Sequence, residues 1–551
     1  MKRKLAIILL SVLLFTALSL FAVACENNDY DKNNKDDTSE NVGEVEDEDS
    51  GNIEDKAYAV TFEVDEHITI TVGDVEGNIA YSLDGNGKGT KDGTGSVVFK
   101  VNYADGFECY DKIELSPDTA YDGFYEVGGA YIITKISGDI TVSISSRAVT
   151  DMPDFAADGE YNMPVMVINT KSAAPILDKE NYVNCQVTVT NTQEKFTLTE
   201  VTAGIRGRGN STWHMPKKPY KLKFDSKVDL FGNGSAKKWT LIANYDDKSM
   251  LRNYLAYAIG GQFEDIGEYT TKTQFVELYL NGSYEGVYLV CEQTEVGKTR
   301  VNIEDNINKY SPENIGYLLE LDGHSLSDVE DLDFFMSNDL PFAIKSPEYD
   351  DLPDISLFSP YVEYIKGYMN DMFAVLENGT YEEICEYIDV NTFAESYIVH
   401  ELFKSVDVGY LSFFVFKKEN DNHLYCGPLW DFDISAGNCD YNADCIDPEN
   451  LFSKENNIWY KNLLNHEEFV SLVSEKLASY ERTVRDTLDS VNQLATDFAA
   501  SYDRNFERWQ ILGEYVWPNT PELVAIDSWQ GQIEYLTDWL TKSLDYLLLI
   551  Y

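Results

Sequence analysis

The spacing of apolar residues changes once along this chain, and that change limits the folds it can adopt. From residue 58 to about 346, short alternating runs of apolar and polar residues are separated by Gly, Asn and Asp, which is typical of β-strands. From about residue 355 onward, apolar residues recur every three or four positions, which predicts helices. We therefore expect an α+β chain whose large domain has two lobes, the first rich in strands and the second rich in helices.

The first residues predict export. Lys2, Arg3 and Lys4 precede an apolar run that ends in Ala22-Val23-Ala24, and Cys25 follows at once. This order is typical of a secretory signal peptide, and a Cys placed directly after the small residues resembles a bacterial lipobox. We interpret residues 1–25 as a lipoprotein signal peptide and Cys25 as the lipidated residue, on the extracellular face of a bacterial cell membrane. An ordinary signal peptide and an uncleaved anchor are the alternatives.

The remaining chain divides by composition. Residues 26–57 are mostly Asp, Glu, Asn, Ser and Gly, which predicts a disordered acidic linker. Residues 58–150 are predicted to form a small all-β module, which resembles the internalin B-repeat type of surface repeat and carries no recognisable chemistry. Residues 162–551 form the predicted large domain.

Charge excludes one class of partner. The chain has 43 Lys and Arg residues against 95 Asp and Glu, a formal net charge of −52. A nucleic-acid partner would require a basic face, so none is expected. The charge is compatible with a basic protein substrate, although solubility alone accounts for much of it.

A predicted hairpin brings acidic residues together in the large domain. Its strands are residues 411–417 and 423–426, and a polar cluster separates them. Asp407 precedes the hairpin, and Asp431 and Asp433 follow it, so we expect these residues to meet at one end of a sheet. One or two such carboxylates can bind a hard cation, and a separate one can act as the base that orients an attacking hydroxyl. The alternative is that each Asp is a turn or cap residue.

A basic stretch at residues 204–224 is the second candidate for chemistry. Its glycines let the backbone approach a ligand closely, while Arg206 and Arg208 provide fixed positive charge. Lys221 and Lys223 are predicted to share one face of a following strand. Such a local reversal of charge would attract an anion, with phosphate as the natural candidate. The alternative is that this stretch binds no ligand and forms a turn followed by a strand whose charged face is exposed to solvent.

Taken in order along the chain, several motifs resemble the CotH family of spore-coat protein kinases. They are Arg208-Gly209-Asn210-Ser211-Thr212-Trp213, Lys217-Lys218-Pro219-Tyr220, Leu251-Arg252-Asn253, Gly286-Val287-Tyr288 and Trp430-Asp431-Phe432-Asp433. The resemblance covers residues 164–551. It implies an atypical protein-kinase-like fold, the use of ATP with Mg²⁺ or Mn²⁺, and phosphate transfer to Ser or Thr of exported or surface proteins. A basic, Ser-rich protein is the candidate substrate.

The resemblance also assigns site residues. It implies that Asp407 is the catalytic carboxylate and that Asp431 binds metal with Asp433 nearby. The nucleotide-binding region would contain Arg208, Asn210, Lys218 and Lys223, with Glu292 as partner of a phosphate-binding lysine. Ser412 departs from the pattern, because conventional kinases carry a metal-binding Asn five residues after the catalytic Asp. Asp433 is our hypothesis for the compensating ligand.

Two other functions remain open at this point. One is a surface adhesin or pseudokinase that keeps the fold without turnover, which the amino-terminal β module favours. The other is a carbohydrate-active enzyme, suggested by Tyr and Trp residues beside carboxylates. Cys439 and Cys445 flank a short polar loop that one disulfide could close.

Overall fold

The computed structural model describes residues 58–73, 79–83, 88–93, 95–104, 107–109, 113–127, 130–148, 163–324, 332–349, 352 and 354–551. The predicted signal peptide, its Cys25 and the acidic linker (1–57) lie outside the described residues. Among the helices that are described, none has both the length and the apolar character needed to cross a bilayer.

The first module is all-β, as the alternation predicts. One sheet has the order β4-β1-β10-β7, another has the order β3-β2-β5-β9-β8, and β11 pairs with β6. Apolar residues such as Val60, Phe62, Ile70 and Phe99 form its core. Its strands are β1 Tyr58–Val64, β2 Ile68–Gly73, β3 Ile79–Leu83, β4 Lys88–Gly93, β5 Gly95–Tyr103, β6 Phe107–Cys109, β7 Glu114–Ser116, β8 Gly123–Val127, β9 Ala130–Ile136, β10 Ile140–Ile144 and β11 Ser146–Ala148.

The large domain begins with a closed barrel, which we call the barrel lobe. Its strands are β12 Val165–Thr170, β13 Val183–Thr190, β14 Leu198–Gly207, β15 Tyr220–Asp229, β16 Ser235–Ile242, β17 Thr273–Leu280 and β18 Ser283–Glu292. They close in the order β12-β13-β14-β15-β16-β18-β17, and β12 pairs parallel to β17. Alternate residues such as Leu222 and Phe224 fill the barrel interior. This leaves Lys221 and Lys223 on the outer face of β15, as expected for a strand.

A second sheet starts the helix-rich second lobe. Its strands are β19 Tyr317–Leu321, β20 Phe334–Ser337, β21 Leu340–Ser346, β22 Phe413–Lys417 and β23 Leu424–Cys426. They have the order β20-β21-β19-β22-β23, and all neighbours are antiparallel. The predicted hairpin of residues 411–426 is thus present as β22 and β23, with its polar cluster at the tip.

Helices cover this sheet and the outside of the barrel. Helix α1 (Arg252–Gly260) belongs to the connection between β16 and β17, yet its apolar face packs into the core of the second lobe. The longest helices, α2 (Ser359–Asn378), α8 (Glu467–Asp497) and α11 (Trp529–Ile550), carry the three- and four-residue spacing seen in the sequence. The others are α3 Tyr381–Ile384, α4 Val390–Phe403, α5 Ala443–Ile446, α6 Ser453–Asn456, α7 Ile458–Leu463, α9 Ala499–Arg508 and α10 Pro521–Val524.

Candidate active site

A cavity of about 470 Å³ lies between the barrel lobe and the second lobe. Side chains from the β14–β15 region line one wall, and the acidic loops around the β22–β23 hairpin line the other. Five predicted site residues line it: Arg208, Asn210, Asp407, Asp431 and Asp433. The structure therefore brings the two candidate stretches of the sequence to one place.

The loop between β14 and β15 forms the basic wall. Gly207 pairs with Tyr220, so the strands hold both ends of the loop. A Cβ at Gly209, where φ is +82°, would lie 2.1 Å from Thr212 Oγ1, so only glycine lets the loop fold this tightly. The loop places the Arg208 guanidinium 5.5 Å from the ring centre of Trp430, the residue before Asp431. Arg208 thus spans the two walls of the cavity.

Lys221 is the strand lysine that lines the cavity. It lies opposite Arg206 in the β14–β15 register. Burial, together with repulsion from Arg206 and Lys238, lowers the pKa of Lys221 to about 8. Arg206, Arg208 and Lys221 give this wall of the cavity a positive charge that would attract an anionic ligand.

Two lysines assigned from the family resemblance lie outside the cavity lining. The Lys218 ammonium donates to the Trp213 carbonyl at 2.8 Å and lies over the Trp213 ring. Lys223 is exposed, with its ammonium 5.8 Å from the ring centre of Tyr182. Lys223 shares the outer face of β15 with Lys221, but β15 runs away from the cavity, so Lys223 lies too far along the strand to line it. Lys217 and Lys221 line the cavity instead.

Glu292 also differs from its assigned role. It is buried at the end of β18, and its carboxylate lies 3.7 Å from Arg300 Nε rather than against a lysine of the cavity. The Lys272 backbone N–H donates to it at 3.2 Å. Burial raises the pKa of Glu292 to about 7 despite the nearby arginine. Glu292 therefore lies at the end of the barrel next to the cavity without lining it.

The acidic wall starts at the end of α4. This helix ends at Phe403, Lys404 adopts a left-handed conformation with φ 49°, and residues 406–409 form a short 3₁₀ turn that holds Asp407. The Val406 N–H donates to the Ile434 carbonyl at 3.2 Å, which joins the Asp407 turn to the Asp431–Asp433 turn. Burial, and then the charge of Asp431, raises the pKa of Asp407 to about 7. A carboxyl poised there can accept a proton near neutral pH.

Asp431 follows the hairpin in a strained backbone conformation with φ 63°. The Ser412 hydroxyl donates to Asp431 Oδ2 at 3.1 Å. Ser412 therefore orients the Asp431 carboxylate. Ser412 thus has a structural role at the position where conventional kinases carry Asn.

Side chains of helix α1 hydrogen-bond to the backbone of the turn that carries Asp431. The Asp431 N–H donates to the Tyr257 hydroxyl at 3.2 Å, and the Phe432 N–H donates to Asn253 Oδ1 at 2.8 Å. Arg252 donates to the carbonyls of Ser435 and Ala436 at 2.9 and 3.0 Å. Both Arg252 and Asn253 are buried.

Asp433 and Asp246 are both buried near this turn, and the sequence did not predict that they lie close together. Asp433 is almost fully buried, and burial with repulsion from Asp246, Asp431 and Asp407 raises its pKa well above the usual range. Asp246 follows β16 and was not singled out in the sequence, because nothing in the pattern distinguishes it from its neighbour Asp247. On another part of the cavity lining, Lys345 and Glu320 form an ion pair of 3.1 Å.

No group of three or more His, Cys, Asp or Glu side chains is placed to hold a metal within the described ranges. The aspartates around the turn thus approach one another without forming a complete ligand set. A cation at Asp431 would need further oxygen ligands from a bound molecule or from water.

Cys439 and Cys445 are free thiols, so the disulfide that their spacing allowed is not formed in this structure. Both are buried. Their side chains hydrogen-bond to each other, and this bond lowers the pKa of the Cys439 thiol.

Comparison with known protein families identifies a match. A family model described as CotH kinase protein matches residues 205–547, which include both walls of the cavity. Among curated proteins, none matches the chain.

Proposed function

Because this chain belongs to the CotH kinase family, we propose that its large domain transfers the γ-phosphate of ATP to Ser or Thr hydroxyls of exported or surface proteins. The observation that carries the proposal is the composition of the cavity. Cationic side chains of the barrel lobe and aspartates of the second lobe line opposite walls of the cavity, whose volume is about 470 Å³. Phosphoryl transfer requires this pairing, since the phosphates need positive charge and the hydroxyl needs a carboxylate.

The donors on the acidic wall fit Mg²⁺ or Mn²⁺. Asp431 offers the hard oxygen atoms that such cations prefer and would hold the cation, with Asp433 nearby. When bound, the cation would supply charge neutralisation to the phosphate oxygens that complete its ligands. Ser412 orients the Asp431 carboxylate for this role through its 3.1 Å hydrogen bond.

Each remaining residue has a role that follows from its position. Arg208, Asn210 and Lys221 bind the phosphates from the barrel side. Asp407 orients the substrate hydroxyl and accepts its proton, for which its raised pKa is suited. Most of the rate enhancement would come from positioning and from fixed charges in a half-enclosed cavity.

The proposed location follows from the amino-terminal sequence. Lipid attachment at Cys25 would tether the domain to the extracellular face of the membrane, with the linker and the β module as spacers. The net charge of −52 favours a basic protein substrate, and a Ser-rich one supplies the acceptor hydroxyls.

The test is phosphate transfer by the purified full chain with labelled ATP, Mg²⁺ or Mn²⁺ and a basic, Ser-rich peptide. Asp407→Asn and Asp431→Asn should each lower the rate at least about 100-fold, since each removes a charge that acts in the transition state. Asp371→Asn, an exposed position on α2, is the matched control and should retain full activity. Equal activity in all the variants would exclude the proposed site.

Ser412 supports a second candidate, a surface protein that binds nucleotide without turnover. A hydroxyl that donates to Asp431 is a poorer cation ligand than the amide oxygen of Asn. In that case the wild-type chain would bind ATP but transfer no phosphate, and Ser412→Asn would raise transfer above background.

A further inference from the structure

Asp246 and Asp247 are neighbours in sequence, but only the Asp247 carboxylate has hydrogen-bond partners among the described residues. Asp247 accepts hydrogen bonds from the Ser249 hydroxyl at 2.6 Å and from the Arg252 backbone N–H at 2.9 Å, and its ion pair with the Arg252 guanidinium measures 2.5 Å. Asp246 is 1% exposed, and neither of its carboxylate oxygens has a hydrogen-bond partner in the described part of the chain. A buried carboxylate without a partner is strongly unfavourable, so such a group indicates a missing ligand.

Asp433 lies beside Asp246 and is also buried. The Asn438 side-chain amide donates both to the Asp246 carbonyl at 3.1 Å and to the Asp433 carbonyl at 2.9 Å, which fixes the two residues next to each other. The Asp433 carboxylate accepts the Ile434 N–H at 2.9 Å. Within the described ranges, neither aspartate forms an ion pair with Lys or Arg.

The surrounding amides cannot supply the missing contacts. Both protons of the Asn438 amide are used on the two carbonyls, and the Asn519 amide donates to the Asp246 carbonyl and to Asn438 Oδ1, each at 2.7 Å. Asn519 Oδ1 is itself buried with no partner among the described residues. This small region therefore contains unsatisfied acceptors on Asp246 and Asn519 and offers no free donor from these amides.

We propose that Asp246 and Asp433 together hold a hard divalent cation of the Mg²⁺ or Mn²⁺ type, at a position separate from the nucleotide-dependent metal at Asp431. Two carboxylates and an amide oxygen are the ligands that such a cation prefers. The cation offsets the mutual repulsion of the two carboxylates. It binds before nucleotide, because every ligand named here comes from the protein.

This cation has a function within the proposed reaction, and that part of the inference rests on the proposed function. It fixes the turn that carries Asp431 and Asp433. It also compensates for Ser412 by supplying positive charge from the protein side of the turn. The binding itself requires no phosphate transfer.

The experiment measures Mn²⁺ binding to the full chain after chelator treatment, without nucleotide, by loss of the electron paramagnetic resonance signal of free Mn²⁺. Wild type should bind Mn²⁺ at this site, and Asp246→Asn should weaken that binding at least about tenfold. Asp431→Asn should keep it while losing transfer, which separates failure of this inference from failure of the proposed function. Asp371→Asn is the surface control.

Thermal unfolding provides a second measurement on the same variants. Mn²⁺ should raise the Tm of wild type and of Asp431→Asn, but not that of Asp246→Asn or Asp433→Asn. The absence of nucleotide-free Mn²⁺ binding in wild type would overturn the inference and indicate that the two carboxyls share a proton. Unchanged binding in a folded Asp246→Asn would overturn it as well.

Discussion

At the scale of single residues, Lys221 gives the site a defined pH dependence. Its pKa of about 8 means that the ammonium is charged at pH 7 and largely neutral at pH 9 in the free protein. ATP affinity should therefore fall by about tenfold as pH rises from 7 to 9, because a charge-assisted contact with phosphate is lost. Nucleotide titrations at fixed Mg²⁺ concentration measure this change.

The comparison variants for that prediction lie on the same strand. Lys221→Arg keeps its charge throughout this range, so its ATP affinity should fall less between pH 7 and pH 9 than that of wild type. Lys223→Arg changes an exposed lysine outside the cavity and should leave the wild-type profile intact. A Lys221→Arg profile that still falls like wild type would assign the titration to another group.

The lysines also show what sequence reasoning can and cannot decide about a site. Strand alternation placed Lys221 and Lys223 on the same outer face, and this is confirmed because Leu222 and Phe224 are buried. The family resemblance assigned Lys223 to the nucleotide-binding region, yet Lys223 does not line the cavity. Alternation could not correct this assignment, because it does not tell which end of a strand faces a cavity. Asp246 was missed for a similar reason, since only tertiary packing distinguishes it from Asp247.

At the scale of elements, α1 acts as the support of the catalytic turn. The sequence pattern of residues 248–261 predicts a helix that starts near Lys248, but the helix begins at Arg252. The difference arises because Asp247 accepts the Arg252 N–H and Ser249 Oγ accepts the Leu251 N–H, which hold the preceding residues in a loop. Competition by such side chains with the helix backbone is common at helix starts.

The hairpin shows the opposite case, in which local pattern was sufficient. Residues 411–417 and 423–426 were predicted as strands and are found as β22 and β23. Aromatic strands with a polar tip encode their own register, and their ends fix Asp407 and Asp431 at one edge. The contacts of Asp431 with Ser412 and Tyr257 depend on packing between distant elements and leave no signal in the local sequence.

Tyr257→Phe tests the role of α1. It removes the hydroxyl that accepts the Asp431 N–H and donates to Asn253 at 3.1 Å, so the free energy of unfolding should fall by about 1–2 kcal/mol. The Mg²⁺ concentration needed for half-maximal transfer should rise about tenfold, since the turn that holds the cation loses a fixed contact.

Tyr254→Phe is the matched control for this helix. Tyr254 packs against Phe275 with ring centres 5.2 Å apart, which is a contact with β17 of the barrel and not with the Asp431 turn. Its variant should keep the wild-type Mg²⁺ dependence. If Tyr257→Phe loses stability but its Mg²⁺ dependence matches that of Tyr254→Phe, the hydroxyl contributes to packing only.

At the scale of the whole molecule, the cavity exists because two separate cores are held against each other. The barrel interior forms one core, and the second lobe with α1 and the outside of the barrel forms another. The change of apolar spacing predicted these two parts. It could not predict barrel closure, in which Val165 pairs with Glu277 across a long stretch of chain, because strand pattern carries no information about distant partners.

Helix α9 joins the two parts through a buried ion pair. Arg504 donates to both carboxylate oxygens of Glu277 at 2.9 and 2.8 Å, and the Glu277 side chain is fully buried in the barrel wall. On the next residue, Asn505 Oδ1 accepts hydrogen bonds from the Val287 N–H and the Lys217 ammonium, each at 3.0 Å. The carboxy-terminal helices thereby fix the barrel wall that carries the basic side of the cavity.

Arg504→Met should lower the free energy of unfolding by about 3–5 kcal/mol, because it leaves the Glu277 carboxylate buried without its partner. The double variant Arg504→Met with Glu277→Gln should recover part of this loss, since the uncompensated charge is gone. Arg508→Met, four residues further along α9 and exposed, should cost no more than about 1 kcal/mol. Calorimetry of the full chain measures all three. Equal losses for Arg504→Met and Arg508→Met would mean that the Arg504–Glu277 ion pair does not contribute to the stability of this contact.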